Sequence, residues 1–198
     1  HTYQKPKNDN FLMDLILENE ALRRKIDDIK VIIKEPTSKI RREKLIPKIE
    51  ELRDFFPHYT KKENILFPYL ERRMEKFNGL SIMWALHDEV KSQVENALNL
   101  LKDENSDDHD VNVSIAQLFF GILGVVKKEE LILFPASCEV LEEDEWYDMH
   151  RQSLEYSFPF IEKEWTITDI EERKDLLSEG VFKTETGELT LDQILLIF

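Results

Sequence analysis

The 198 residues are 41% hydrophobic and 34% charged, with only 5 glycines. This balance favours an all-α protein, because a sheet protein needs more glycine for its tight turns. The net charge of -14 repels phosphate backbones, so we do not expect nucleic-acid binding. No apolar run approaches the roughly 20 residues of a membrane span, and a single cysteine suits a reducing compartment. We therefore expect a cytoplasmic protein that does not enter a membrane.

The first two predicted helices cover residues 10–33 and 39–73. Apolar residues recur at three- and four-residue steps through the first segment, which indicates an amphipathic helix of about six turns. Pro36-Thr37-Ser38 ends that helix and caps the next one. Three prolines inside the second segment predict kinks or breaks in it.

Two further long helices and a short one follow. A turn at Phe77-Asn78-Gly79 precedes a third helix that begins near Ser81, and an acidic loop separates it from a fourth helix over about 111–141. Four long helices with short connections predict an up-down-up-down four-helix bundle. An extra, shorter helix is predicted from Glu142 to about Tyr156, so the bundle is expected to occupy residues 10–156.

Residues 157–198 are predicted to form a C-terminal extension and linker. Its last stretch, Leu189 to Phe198, is apolar and is expected to be a helix. An exposed apolar end of this kind is typical of a segment that continues into another domain or a partner.

One helical motif occurs twice in the chain. The stretch Lys61 to Pro68 returns almost unchanged as Lys127 to Pro135, and both copies place charged residues before an apolar run that ends in Phe-Pro. Two such helices could present carboxylates at the same depth of a shared core. Carboxylates at matched depth, with histidines nearby, are how helix bundles hold metal ions.

The first copy brings His58 and Glu63 close in sequence, but their five-residue separation turns them roughly 140° apart on an ideal helix. A one-residue π-bulge would bring them towards one face. Alternatively, Tyr59 and Glu63 share a face and His58 lies beside it. Spacing alone leaves both arrangements open.

Other candidate ligands lie in the later helices. His87 borders the apolar stripe of the third helix, as a metal ligand or as a hydrogen-bonded core residue would. Alignment of the two copies at Phe-Pro matches Glu130 to Glu63, with Glu129 as the alternative, and His150 could cover one end of the bundle. Imidazole and carboxylate groups together suit iron, zinc or manganese. The candidate metal ligands are His58, Glu63, His87, Glu130, Glu129 and His150.

Several segments, in this order and spacing, resemble the hemerythrin-like HHE cation-binding family. In particular they resemble the branch in which the bundle precedes a PAS sensory domain, since residues 189–194 look like the linker into that domain. The matching segments are Glu18 to Leu22, His58 to Leu70, Met83 to Glu89, Lys128 to Pro135, Glu145-Trp146 and Ser153 to Tyr156.

The resemblance implies a four-helix bundle with a non-haem, usually di-iron, centre that binds dioxygen or nitric oxide. Carried over by position, the ligands would be His58, Glu63, His87 and Glu130, with Glu129 as the alternative. The family's first-helix histidine falls here on Asn10, and its fourth-helix histidine falls on Val125 or Val126. A carboxylate-rich site, a single metal ion and a bundle that has lost its metal therefore all stay open.

These features together lead to a functional prediction. We expect a metal-binding module, with mononuclear or dinuclear iron, that senses a small gas and forms the regulatory half of a larger signalling protein, without catalytic turnover. The alternative is a metal-free helical interaction module. A di-iron oxidase would need Glu-x-x-His pairs on two helices, and the sequence has none. A homodimer is compatible with either prediction.

Overall fold

The computed structural model describes residues 10–73, 79–163, 166, 168–171, 181–184 and 187–190. Helix α1 (Asn10–Ile33) occupies the predicted segment. Ser38 then caps α2 (Lys39–Glu50), because its side-chain oxygen accepts a hydrogen bond from the backbone N–H of Arg41. The predicted end of the first helix and start of the second are confirmed.

The second long helix continues to Arg73 but changes type along its length. Pro57 lies in the first turn after a 3-10 segment, and Pro68 is the second residue after a π-helical turn. A proline cannot donate a backbone hydrogen bond, so the turn before it can close with a different bonding pattern. The predicted breaks therefore occur beside Pro57 and Pro68, whereas α2 continues unbroken through Pro47. The five pieces are α2, a 3-10 turn (Glu51–Phe55), α3 (Phe56–Lys61), a π-helical turn (Lys62–Leu66) and α4 (Phe67–Arg73).

The third and fourth long helices complete the bundle. The fourth begins three residues earlier than predicted because the side chain of Asp107 accepts from the His109 backbone N–H and caps it. It also contains a π-helical turn, directly before its Phe-Pro sequence. The pieces are α5 (Gly79–Lys102), α6 (Asp108–Lys128), a π-helical turn (Glu129–Leu133) and α7 (Phe134–Val140).

The long helices pack around one core, as predicted for an all-α bundle. Helix α5 packs on α6 and on α2, and α1 packs on α2. The extra helix α8 (Glu143–Ser153) begins with a reciprocal capping box between Glu142 and Glu145 and packs on α1. The all-α fold class and the extra C-terminal helix are confirmed.

The helical run Asp108–Val140 is long and apolar enough to cross a membrane by length and composition alone. In the bundle, 39% of its most apolar window is buried. Helices that pack in a protein core pass the same test, because they too are rich in apolar residues.

The C-terminal extension contains two strands. Strand β1 (Val181–Thr184) pairs antiparallel with β2 (Gly187–Thr190), with Phe182 opposite Leu189. The predicted helix is therefore wrong at Leu189 and Thr190, and its remainder, 191–198, lies outside the described residues. Strand pairing satisfies the backbone of both segments at once, which a short isolated helix in water cannot match.

Candidate metal centre

A group of ionisable side chains is buried in the middle of the bundle. Each is at most 7% exposed, although such groups are almost never fully buried unless they are paired. They come from α1, the second long helix, α5 and the second π-helical turn. The group, called the polar core below, consists of Glu18, His58, Lys61, Lys62, Glu63, His87 and Glu129.

Two histidines in the polar core have the same arrangement of partners. The Nδ1 atom of His58 lies 2.7 Å from a carboxylate oxygen of Glu18, and Nδ1 of His87 lies 2.7 Å from Glu63. The Nε2 atoms of both rings face Glu129, at 3.3 Å from His58 and 3.8 Å from His87. Nε2 of His87 has no hydrogen-bond partner among the described residues. Glu129 thus lies between two imidazole nitrogens.

The two π-helical turns explain how the repeated motif reaches this core. Lys62 opens the first turn and Glu129 opens the second, each five residues before the phenylalanine of Phe-Pro. Because the two positions are equivalent, they meet across the core, where Lys62 and Glu129 form a buried ion pair. Of the two arrangements that the spacing of His58 and Glu63 left open, the structure shows the π-helical one.

The polar core does not include Glu130. Successive helical residues are turned by about 100°, so a helix that directs Glu129 inwards directs Glu130 towards the edge. There Glu130 accepts two hydrogen bonds from Arg23, at 2.6 and 2.7 Å, and is 28% exposed. The family resemblance, carried over by position, favoured Glu130 as the ligand. The structure instead places the alternative, Glu129, next to the histidines.

His150 also lies apart from the polar core in its contacts. Its Nε2 atom is 2.8 Å from Asp169, which also accepts from the backbone N–H of Thr166. Burial raises the pKa of Asp169, but hydrogen bonds from His150 and Thr166 bring it below its usual value. His150 therefore holds the segment after α8 against the bundle.

Sequence reasoning assigned no site role to Glu18, Lys61 or Lys62. Glu18 accepts a hydrogen bond from Lys61 as well as facing His58. The available signal was the position of Glu18 and Asn19 on the apolar stripe of α1, where polar side chains must find partners inside the core. Asn19 donates a hydrogen bond to Glu129 at 2.8 Å.

Burial sets the protonation of the two histidines. Burial, with the nearby charge of Lys62, lowers the pKa of His87 to about 2 and the pKa of His58 well below its ordinary value. Burial also raises the pKa of Glu18 to about 7, against the effect of Lys61. Both imidazoles are therefore neutral at neutral pH, which is the form that binds metal ions.

Aromatic rings hold the histidine planes in place. Phe55 stacks on His58 and Tyr59 stacks on His87, each with ring centroids 4.4 Å apart. Phe67 lies on His87 at 5.9 Å. The hydroxyl group of Tyr59 is buried, and no group in the described part of the chain forms a hydrogen bond with it. These rings reduce the freedom of the imidazoles and keep water out of the polar core.

The family model described as the hemerythrin HHE cation binding domain matches residues 12–137. The chain belongs to this family. A search of curated proteins found no significant match. Hemerythrin HHE domains are metal-binding helical modules, and the matched range contains every residue of the polar core.

The polar core has the donor chemistry that such a metal ion needs. It offers two neutral imidazole nitrogens and a carboxylate between them, and one of those nitrogens lacks a partner. Within the described part of the chain, no three His, Cys, Asp or Glu side chains already stand at metal-binding distances. The ammonium group of Lys62, which is paired with Glu129, competes for the same carboxylate.

Proposed function

We propose that this hemerythrin HHE domain binds a single non-haem iron ion through His58, His87 and Glu129. The supporting observation is that each histidine directs Nδ1 to a buried carboxylate, Glu18 or Glu63, and Nε2 towards Glu129. Metal-ligating histidines almost always donate their second ring N–H to a carboxylate or carbonyl group, which fixes the tautomer and raises the basicity of the ligand.

The donor set favours ferrous iron. Two histidines and one carboxylate, with coordination positions left open, are typical of non-haem iron(II) sites, while zinc and manganese accept similar donors. When bound, ferrous iron supplies reversible binding of a small gas, dioxygen or nitric oxide. Glu63 was predicted to bind the metal ion directly. In this proposal it instead accepts a hydrogen bond from the ligand His87.

This centre contains two buried lysines, Lys61 and Lys62, in addition to the proposed metal ligands. Burial lowers the pKa of both lysines, but each amine lies against a core carboxylate, Glu18 or Glu129. A divalent ion held by the histidines and Glu129 would compete with Lys62 for that carboxylate. Its binding would therefore rearrange a contact between the second and fourth long helices.

We propose that this rearrangement carries a signal. A gas that binds one packing of the helices more tightly than another shifts the equilibrium between them. The bundle would pass this shift through residues 154–198 to a downstream PAS-like domain, as a cytoplasmic regulatory module without turnover of its own.

The experiment is reconstitution of the chain with ferrous iron under anaerobic conditions, followed by metal analysis and by optical spectra with and without nitric oxide. Wild-type protein should retain one iron per chain and change its spectrum with the gas. His87→Ala should lose both properties, and His109→Ala, which alters an exposed histidine on the first turn of α6, should keep both. Iron that is absent from the wild type, or equally present in His87→Ala, contradicts the proposal.

A metal-free helical interaction module is the second candidate, and the two buried lysine–glutamate pairs favour it. Such pairs can fix the register of packed helices instead of supporting a ligand. This candidate predicts that His58→Ala and His87→Ala lower the free energy of unfolding while leaving the metal content unchanged at zero.

A further inference from the structure

Helix α6 has an exposed face that the metal centre does not use. Although the protein has 41 acidic residues among 198, none lies between Val111 and Lys128. Phe120 is 85% exposed on this face, Leu131 is 66% exposed and Val113 is 39% exposed. Apolar side chains exposed together along one helix indicate a contact surface.

The residues of this face follow a coiled-coil spacing. They are separated by steps of four, three, four, three and four residues. The first five lie in α6 within about 40° of one line on the helix, and Leu131 lies in the π-helical turn that follows. All are exposed or half-buried. The face, called the α6 seam below, consists of Val113, Gln117, Phe120, Gly124, Lys127 and Leu131.

A glycine in the middle of the α6 seam leaves open space next to it in the described part of the chain. A Cβ atom added at Gly124 would meet only the amine of Lys128, at 3.8 Å, so the fold leaves room for a larger residue. Glycine inside a helix costs about 1 kcal/mol relative to alanine. Gly124 therefore leaves a notch on the surface, one turn after the exposed ring of Phe120.

The α6 seam is complementary to itself. Two antiparallel copies related by a two-fold axis near Ile122 would place Phe120 of each chain over Gly124 of the other. The same axis sets Val113 opposite Leu131. Apolar residues then meet apolar residues, and each large ring meets the position that has no side chain.

Charge supports the same partner. The axis sets Lys127 opposite the neutral Gln117, and no acidic group from the stretch 111–128 enters the contact. Elsewhere the net charge of -14 makes two copies repel each other, so a face without acidic residues is where they can approach.

We propose that the protein forms a two-fold homodimer through the α6 seam, with Phe120 of one chain seated at Gly124 of the other. The seam is about 27 Å long, which is short for a permanent interface, so we expect a dissociation constant in the micromolar range. The dimer would join two metal centres through the helix that carries Glu129, but it does not depend on bound metal.

The test is sedimentation velocity of the full chain from about 1 to about 300 μM, where a micromolar dimer passes from monomer to dimer. Phe120→Asp should remain monomeric. Gly124→Ala should weaken the dimer at least about tenfold while raising the melting temperature of the dilute monomer, because the added methyl group fills the notch and favours the helix. Val31→Asp, at an exposed apolar residue of α1, is the matched control and should dimerise normally.

Other outcomes overturn the proposal. A wild-type chain that stays monomeric at the highest concentration contradicts it, as does a dimer that survives Phe120→Asp. If monomeric wild type instead binds vesicles of phosphatidylcholine and phosphatidylglycerol, and Phe120→Asp abolishes that binding, the face contacts lipid and the homodimer is wrong.

Discussion

In the proposed metal centre, Lys62 should limit metal affinity, because its amine already contacts the Glu129 carboxylate. Lys62→Met keeps most of the side-chain volume and removes the competing charge. Without metal, Glu129 is then buried and unpaired, which costs about 3–5 kcal/mol of unfolding free energy. Metal binding restores a positive partner, so ferrous iron affinity should rise at least about tenfold. A competition titration with a chelator measures the affinity.

The matched control for this change is Lys128→Met, which alters an exposed lysine of the second motif. It should leave both metal affinity and stability unchanged. An affinity that falls in Lys62→Met would mean that the lysine supports the metal ion instead of competing with it.

Glu63 and Glu130 occupy equivalent positions in the two motifs but have different neighbours. Glu63 contacts His87, whereas Glu130 contacts Arg23 at the edge of the bundle. Glu63→Gln keeps the size of the side chain and removes its charge, so the basicity of His87 should fall and metal affinity should drop by about tenfold. Glu130→Gln should change metal affinity little. If the same titration shows that Glu130→Gln loses more metal affinity than Glu63→Gln does, Glu130 is a ligand after all.

The sequence identified the histidines of the site but only part of their surroundings. His58 and His87 follow from motif and apolar pattern. The choice between Glu129 and Glu130 could not be made, because the second motif contains one more residue than the first and admits two alignments. The roles of Glu18 and Lys62 depend on contacts between distant helices, which no local pattern encodes.

At the scale of helices, the two π-helical turns are the features that form the site. Each is a wider helical turn that lies directly before a Phe-Pro sequence. Together they place Lys62 and Glu129 at the same depth of the bundle, where the two side chains meet. The spacing of His58 and Glu63 made the first turn one of two open arrangements. The second could be expected only from the repeat, since its alignment places Val125 where the first copy has His58.

A buried contact between His150 and Asp169 helps to hold the segment after α8, beside an ion pair of Lys163 with Asp14 on α1. Asp169→Ala leaves the His150 ring without that partner, which costs about 1–3 kcal/mol. Hydrogen exchange should therefore accelerate in residues 154–171 and stay unchanged in α5. Glu171→Ala, at an exposed residue, should have no effect. Equal protection of the segment in both variants would show that other contacts hold it.

The same contact gives a pH dependence. The pKa of Asp169 is below its usual value in the folded chain, so its ionised form favours the docked segment. This stabilisation is complete above the unfolded pKa of about 4 and is lost as the pH falls through the lower, folded value. Protection of residues 154–171 should decline across that acidic range in the wild type, and it should not depend on pH there in Asp169→Ala.

On the scale of the whole molecule, composition and periodicity predicted the all-α bundle because long amphipathic helices have a strong repeating signal. They did not predict the strands near residue 189. There the strand that pairs with Leu189 lies several residues earlier in the chain, and an apolar run of that length fits a helix or a strand.

Metal should stabilise the entire bundle, because its three proposed ligands come from three of the four long helices. At a free iron concentration 100 times the dissociation constant, binding adds about 2.7 kcal/mol to the free energy of unfolding. For a chain of this size the melting temperature should rise by about 5–10 °C. Calorimetry of His109→Ala should give the same rise. An equal rise in His87→Ala would place the stabilising ion elsewhere.

The most direct measurement is anomalous diffraction at the iron absorption edge from crystals loaded with ferrous iron without oxygen. We predict one peak per chain, bonded to Nε2 of His58, Nε2 of His87 and a carboxylate oxygen of Glu129, with Lys62 moved away from that carboxylate. A peak bonded instead to Glu130 or His150, or a fully loaded crystal in which Lys62 still contacts Glu129 and no peak lies between the histidines, would contradict the account.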